Sequence, residues 1–282
     1  MQDPLASSRP AGRPHGPRPS LLILPTPMEV LAPTTRADYV ASLAIAAPES
    51  AAPKSARSAT GPAFTDEGDA AFVDAGSAVS FVSGLTPERQ RDVLNSTLLA
   101  QLAANKKYDR EKATEQWYGF YREVLENLGW VVGNFGFKRF QASGTSVRMD
   151  KAALEVIKAI ATGNELLVLT STLDALDKAN PDSDQIRLFE GNSSSGEDGN
   201  FQLATATQDD SGNVSMALGA FYFKADEHRG RFLFWSWSTN SINFYFSTQR
   251  VVLNEEIYRT VRQAVVAKLG DHAQTFVDDL EI

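Results

Sequence analysis

Three histidines, 35 acidic residues and no cysteine bound the chemistry open to this chain. Without a thiol there is no thiolate nucleophile, disulfide or cysteine-ligated metal. His15 lies in a proline-rich leader, His228 in the charged turn Asp226-Glu227-His228-Arg229-Gly230, and His272 just past the end of a helix. They are too far apart for a local metal-ligand motif, and no His-Glu-x-x-His occurs. Gly-x-Ser-x-Gly, phosphate-loop and dinucleotide patterns are also missing. No catalytic, cofactor-binding or metal-ligating residue is assigned, and no cofactor is expected. His228, between Glu227 and Arg229, has the setting of a general base, although a solvated turn histidine is the commoner role. Asp209-Asp210-Ser211-Gly212-Asn213 has part of the composition of a calcium loop, but its glycine is misplaced and it reads as a turn. Asn192-Ser193-Ser194 is a glycosylation sequon, read in a polar loop spanning 191–199. Convergent carboxylates are the remaining route to hydrolysis or group transfer.

The densest side-chain chemistry is aromatic. Ten of the 27 aromatic residues fall between Phe221 and Phe246. Phe232 to Thr239 and Ile242 to Thr248 alternate like two strands joined at Asn240-Ser241, which predicts a hairpin. In that register Leu233, Trp235, Trp237, Ile242, Phe244 and Phe246 share one face. Val214 to Lys224 and Phe201 to Thr207 supply two preceding strands, so a C-terminal four-stranded meander is expected. Trp235, Trp237, Phe244 and Phe246, with His228 and Arg229 in the adjoining turn, are the candidate contacts for a partner or a membrane.

Other elements must cover this floor. Thr86-Pro87-Glu88 is a helix start, followed by Leu94, Leu98, Leu99 and Leu102. A second helix from Asp109 carries Trp117, Tyr118, Tyr121, Val124 and Leu125 and stops at Gly129; the short connection predicts an antiparallel helical hairpin. Strands are expected over 130–137, 140–149 and 186–189. Helices are expected from Asp150 to Gly163, from Asn164 to Lys178, and from Asn254 to Gly270, with further helical turns over 273–280. The fold class is α+β, a mainly antiparallel sheet packed against the N-terminal helical hairpin and the C-terminal helix.

Eleven of the 13 prolines lie in the first 62 residues, where Tyr39 is the only aromatic. Residues 1–62 are therefore expected to be a disordered Pro/Ala/Ser-rich segment, with a short helix over 37–46, and residues 63–282 a single domain. The formal net charge is −8, and the part after residue 62 is more acidic still, which disfavours nucleic acid and an anionic bilayer as electrostatic partners. No apolar run approaches the ~20 residues of a spanning helix, and Ser20 to Pro25 is too short for a secretory signal. A soluble, cytoplasmic protein is expected, with non-classical secretion as the alternative. Three functions are compatible, in this order: a non-catalytic binding protein for a protein or small ligand; a membrane-active, toxin-like protein using the aromatic hairpin over 231–249; and a hydrolase or transferase with an acid-based site.

Overall fold

A computed structural model describes residues 35–47, 64–227 and 229–282, all within one compact unit running from Pro33 to Ile282. The elements in order are α1 (Arg36–Ser42), β1 (Ala70–Asp74), β2 (Ser77–Phe81), α2 (Pro87–Lys107), α3 (Thr114–Asn127), β3 (Trp130–Val131), β4 (Lys138–Arg139) and β5 (Ser146–Arg148). Next come α4 (Met149–Ile157), α5 (Gly163–Lys178), α6 (Asp184–Ser193), β6 (Asp198–Gln208), β7 (Val214–Ala225), β8 (Ser236–Ser238), β9 (Ile242–Leu253), α7 (Glu255–Leu269), α8 (His272–Phe276) and β10 (Val277–Leu280). The chain is α+β. Its main sheet runs β10-β1-β2-β6-β7-β9-β3 with β4 added on β9, and β5 and β8 form a separate ribbon. Among the described strands only β2 and β6 pair in parallel.

The helices begin where capping chemistry dictates. Thr86 accepts a hydrogen bond from the N–H of Arg89, and Pro87 occupies the first turn of α2. Asn254 does the same for α7 through the N–H of Ile257, and Gly270, at φ +49°, closes that helix. The stripe on α3 is core: Trp117 and Tyr121 stack at 5.3 Å, and both are fully buried. The short helix expected in the leader is α1. Arg36 donates to the carbonyls of Glu126 and Asn127, Lys268 donates to that of Ala41, and Val40 is buried. Residues 35–47 thus pack on the folded body, while the rest of the leader, 1–34 and 48–62, lies outside the described residues.

Helices cover the sheet on both faces. One cluster joins α1, α2, α3 and α7 to Ala204, Ala206, Val214, Met216, Leu218, Ala220, Val251 and Leu253. The other joins α4, α5 and α6 to Phe201, Leu203, Phe221, Phe223, Ile242 and Phe244. The large apolar residues of β7 and β9 therefore change face partway along the strand, whereas β6 gives Phe201 and Leu203 to the second face and only alanines to the first. The expected helical cover lies on the first face; α4 to α6, on the second, complete a three-layer arrangement.

Several expectations are corrected. β7 pairs directly with β9, placing Phe221 opposite Phe246 and Phe223 opposite Phe244, so the meander in the main sheet has three strands, β6, β7 and β9. The reason is aromatic: Tyr222 stacks on Tyr245 at 4.5 Å and Phe221 on Phe244 at 5.6 Å, contacts that the expected hairpin would forgo. The tryptophan segment leaves the sheet, and only Ser236–Ser238 is extended, against β5. The strand expected over 186–189 is helix α6, because the Ser183 hydroxyl accepts from Ile186 N–H as an N-cap. That helix takes in part of the expected polar loop and holds Asn192 and Ser193 of the sequon. The strands expected over 130–149 shrink to β3, β4 and β5. Asp150 lies within α4 rather than capping it, since its carboxylate is engaged by Arg148. Helix α8 gives way to edge strand β10 after Phe276.

Candidate functional site

The excursion between β7 and β9 carries four of the six residues singled out in the sequence. It is anchored at several points. Arg231, in the left-handed region at φ +56°, sends its guanidinium to the last turn of α5, donating to the carbonyls of Leu176, Asp177 and Ala179 at 3.1, 2.6 and 3.0 Å. A cation on those free carbonyls is favoured by hydrogen bonding and by the helix dipole together. Phe232 then enters the core between Phe189 and Phe223, and the Leu233 carbonyl accepts from Asp150 N–H at the start of α4. The indole of Trp237 donates to the Phe232 carbonyl at 2.9 Å.

Between these anchors Trp235 is thrust outward. It is 43% exposed, whereas Leu233 and Trp237 are each 1% exposed. The guanidinium of Arg229 lies 4.7 Å from the Trp235 ring and is paired with Glu227 at 2.5 Å. Next to it, Phe234 lies under two further arginines, Arg231 at 5.2 Å and Arg148 at 5.9 Å. Arg148 is bidentate to Asp150 and also reaches Asp177 at 3.0 Å; hydrogen bonding to Asp150, more than to Asp177, holds it deeper in its charged range. Burial raises the Glu190 carboxyl, an effect that Arg231 partly offsets. The result is a small surface of one indole, one phenyl ring and three arginines, each arginine paired with a carboxylate.

Of the sequence candidates, the structure brings Arg229 and Trp235 together. Trp237 and Phe244 are core residues, Phe246 is half-buried against Phe140, and His228 lies outside the described residues. Sequence reasoning missed Phe234, Arg231 and Arg148. Arg231 follows Gly230 in an apparent turn, and nothing local signals that it caps a helix more than fifty residues earlier.

Two other polar clusters are structural in their arrangement. Glu88, Asp92 and Glu255 are close enough to share a cation, but Arg262 already binds all three and Arg89 pairs with Asp92 and Glu255, tying α2 to α7. Inside the molecule Asp74 accepts from Thr97 Oγ1 at 2.5 Å, and Gln101 bridges its backbone carbonyl to the N–H of Gly76. The same polar seam continues through Ser77, Gln202, Tyr118 and Asn200. Among the described residues Asp74 has no cationic partner, and burial pushes its carboxyl up to about 8. Desolvation lowers the half-buried Arg110 to about 10. No helix among the described residues is long and apolar enough to cross a membrane.

No protein-family model and no curated protein matches the chain. Among solved structures it is similar to the Evf virulence factor at 15% identity and a TM-score of 0.34, over 74% of this chain and 83% of that one. It is also similar to a delta-endotoxin at 10% identity and a TM-score of 0.40, over 64% of this chain and 81% of that one. Likeness at these scores assigns no function.

Proposed function

We propose that this chain is a binding protein that engages a protein partner through the surface around Trp235. The observation that supports this is the exposure of that one indole between two fully buried neighbours, under the guanidinium of Arg229. Tryptophan has only two side-chain torsions to order on contact, and tryptophan and arginine are the residue types that dominate binding energy at interfaces. The test is site-specific photocrosslinking in extract of the native host. A benzophenone amino acid at Trp235 should give a discrete adduct that excess unlabelled protein suppresses, whereas the same probe at exposed Leu167 should not. Equal labelling at the two positions would sink the reading.

A second reading, action on membranes, is favoured by strand length. Strands β6, β7 and β9 have 11, 12 and 12 residues, which meets the ~9 to 11 a spanning strand needs. Phe201, Phe221, Phe223 and Phe244 would supply a lipid-facing surface. Against it stands Arg250, which reaches Glu165 and Ser215 on that side of the sheet and would cost about 2–4 kcal/mol at the centre of a bilayer. Dye release from phosphatidylcholine/phosphatidylglycerol vesicles distinguishes the two: the first reading expects none from pH 5 to 9.

A further inference from the structure

A groove of about 210 Å³ lies between α2, α7 and α8, remote in sequence from the Trp235 loop. Leu94, Val266, Leu269, Ala273 and Phe64 make it almost wholly apolar. Val266, although on a helix whose neighbouring turns are core, is 53% exposed here. The one ionisable side chain in the lining is Arg91, and no aspartate or glutamate accompanies it. Its guanidinium lies 4.9 Å from the centroid of the Phe64 ring, and it has no carboxylate partner among the described residues. This differs from the arginines of the Trp235 surface and of the α2–α7 network, each of which is engaged by at least one acid. In a chain of net charge −8, an apolar trough with a single uncompensated cation is selective for one kind of guest.

We propose that this groove binds the alkyl chain of a monomeric medium-chain carboxylate, with Arg91 receiving the carboxylate head. The size argues for a short chain. At about 210 Å³ the groove holds one short chain. That is smaller than the ~300–1,000 Å³ of a site for a drug-sized molecule. Each methylene buried contributes favourably in proportion to its area, and the planar guanidinium can donate two parallel hydrogen bonds to a carboxylate. Head and tail requirements are thus met by different residues, which makes them separable.

The experiment is a calorimetric titration of the full chain with sodium octanoate, below its micelle concentration, and in parallel with 1-octanol. Octanoate should bind saturably at one site and more tightly than octanol. Arg91→Gln should weaken octanoate about tenfold or more while leaving octanol within twofold, the loss expected for one charge-assisted contact. Val266→Asp should remove binding of both. Each substituted side chain is exposed, so unchanged thermal unfolding of the variants checks that the fold is retained. No saturable binding of octanoate, an Arg91→Gln variant that binds it as well as the parent, or a Val266→Asp variant that keeps both ligands would each overturn the proposal.

Discussion

A single buried carboxyl sets the sharpest prediction at the scale of residues. Asp74 is fully buried, faces the neutral donors Thr97 and Gln101 on α2, and lies near the buried Tyr121 hydroxyl of α3. Burial raises it from the ordinary value near 4 to about 8 in the folded state. The folded state therefore holds a proton that the unfolded chain has released, so the associated stability is complete below about pH 4 and is lost as the pH climbs through about 8. Within that window the contribution falls by about 1.4 kcal/mol per pH unit. Asp74→Asn should flatten the corresponding part of a stability-versus-pH curve from urea unfolding, and an unchanged slope would mean that the carboxyl titrates elsewhere. At the surface, Trp235→Ala should leave the unfolding midpoint nearly unchanged, since the indole is 43% exposed, yet added in excess as unlabelled protein it should no longer suppress the photocrosslinked adduct. None of the buried seam was legible in the sequence. Asp74 lies among small residues, and its partners come from helices more than twenty residues away.

Elements were legible where local chemistry decides them. Thr86-Pro87, Asn254 and Gly270 mark helix ends by capping alone, and β7 alternates cleanly enough to be read from Val214 onward. The reading failed where tertiary contacts outweighed pattern. Phe232 to Thr239 has the composition of a strand, yet the long β7 offers Phe244 and Tyr245 better partners, so the segment buries Phe232 and Trp237 and leaves Trp235 outside. The turn Asp74-Ala75-Gly76-Ser77 carried too little apolar contrast to announce β1 and β2, whose positions are set by pairing with β6 and β10. Glycine in β7 has a specific role: a Cβ on Gly219 would meet the Phe221 ring at 2.6 Å and Ile157 Cδ1 at 2.8 Å. Gly219→Ala should cost about 1–3 kcal/mol of stability, measured by urea denaturation, because the Phe221 ring and the Ile157 side chain, both in the packed core, would have to move. Between helices, Arg262→Met should lower stability by about 3 kcal/mol by the same assay, as it strips the nearly buried Asp92 carboxylate of its bidentate partner. A loss below 1 kcal/mol would show that Arg89 replaces it.

For the molecule as a whole, the order of opening follows from coverage. β7 is flanked by β6 and β9 along its length and lies beneath helices on both faces. Its amides should exchange with deuterium most slowly, while those of the two- and three-residue strands β3, β4 and β5 should exchange first. Fast exchange in the middle of β7 would contradict that ranking.

The change of face along the central strands has a mechanical consequence. The large side chains of β7 meet the layer of α2, α3 and α7 from Val214 to Ala220 and the layer of α4 to α6 at Phe221 and Phe223, while only small residues, Gly219 and Ser215 among them, face α4 and α5 in the first half. The two layers act like staggered clamps on one ribbon. Prising one layer away loosens most the half of β7 and β9 whose large side chains it covers, while the other half stays held in register. A pull applied across the molecule should therefore release it in two force steps rather than one.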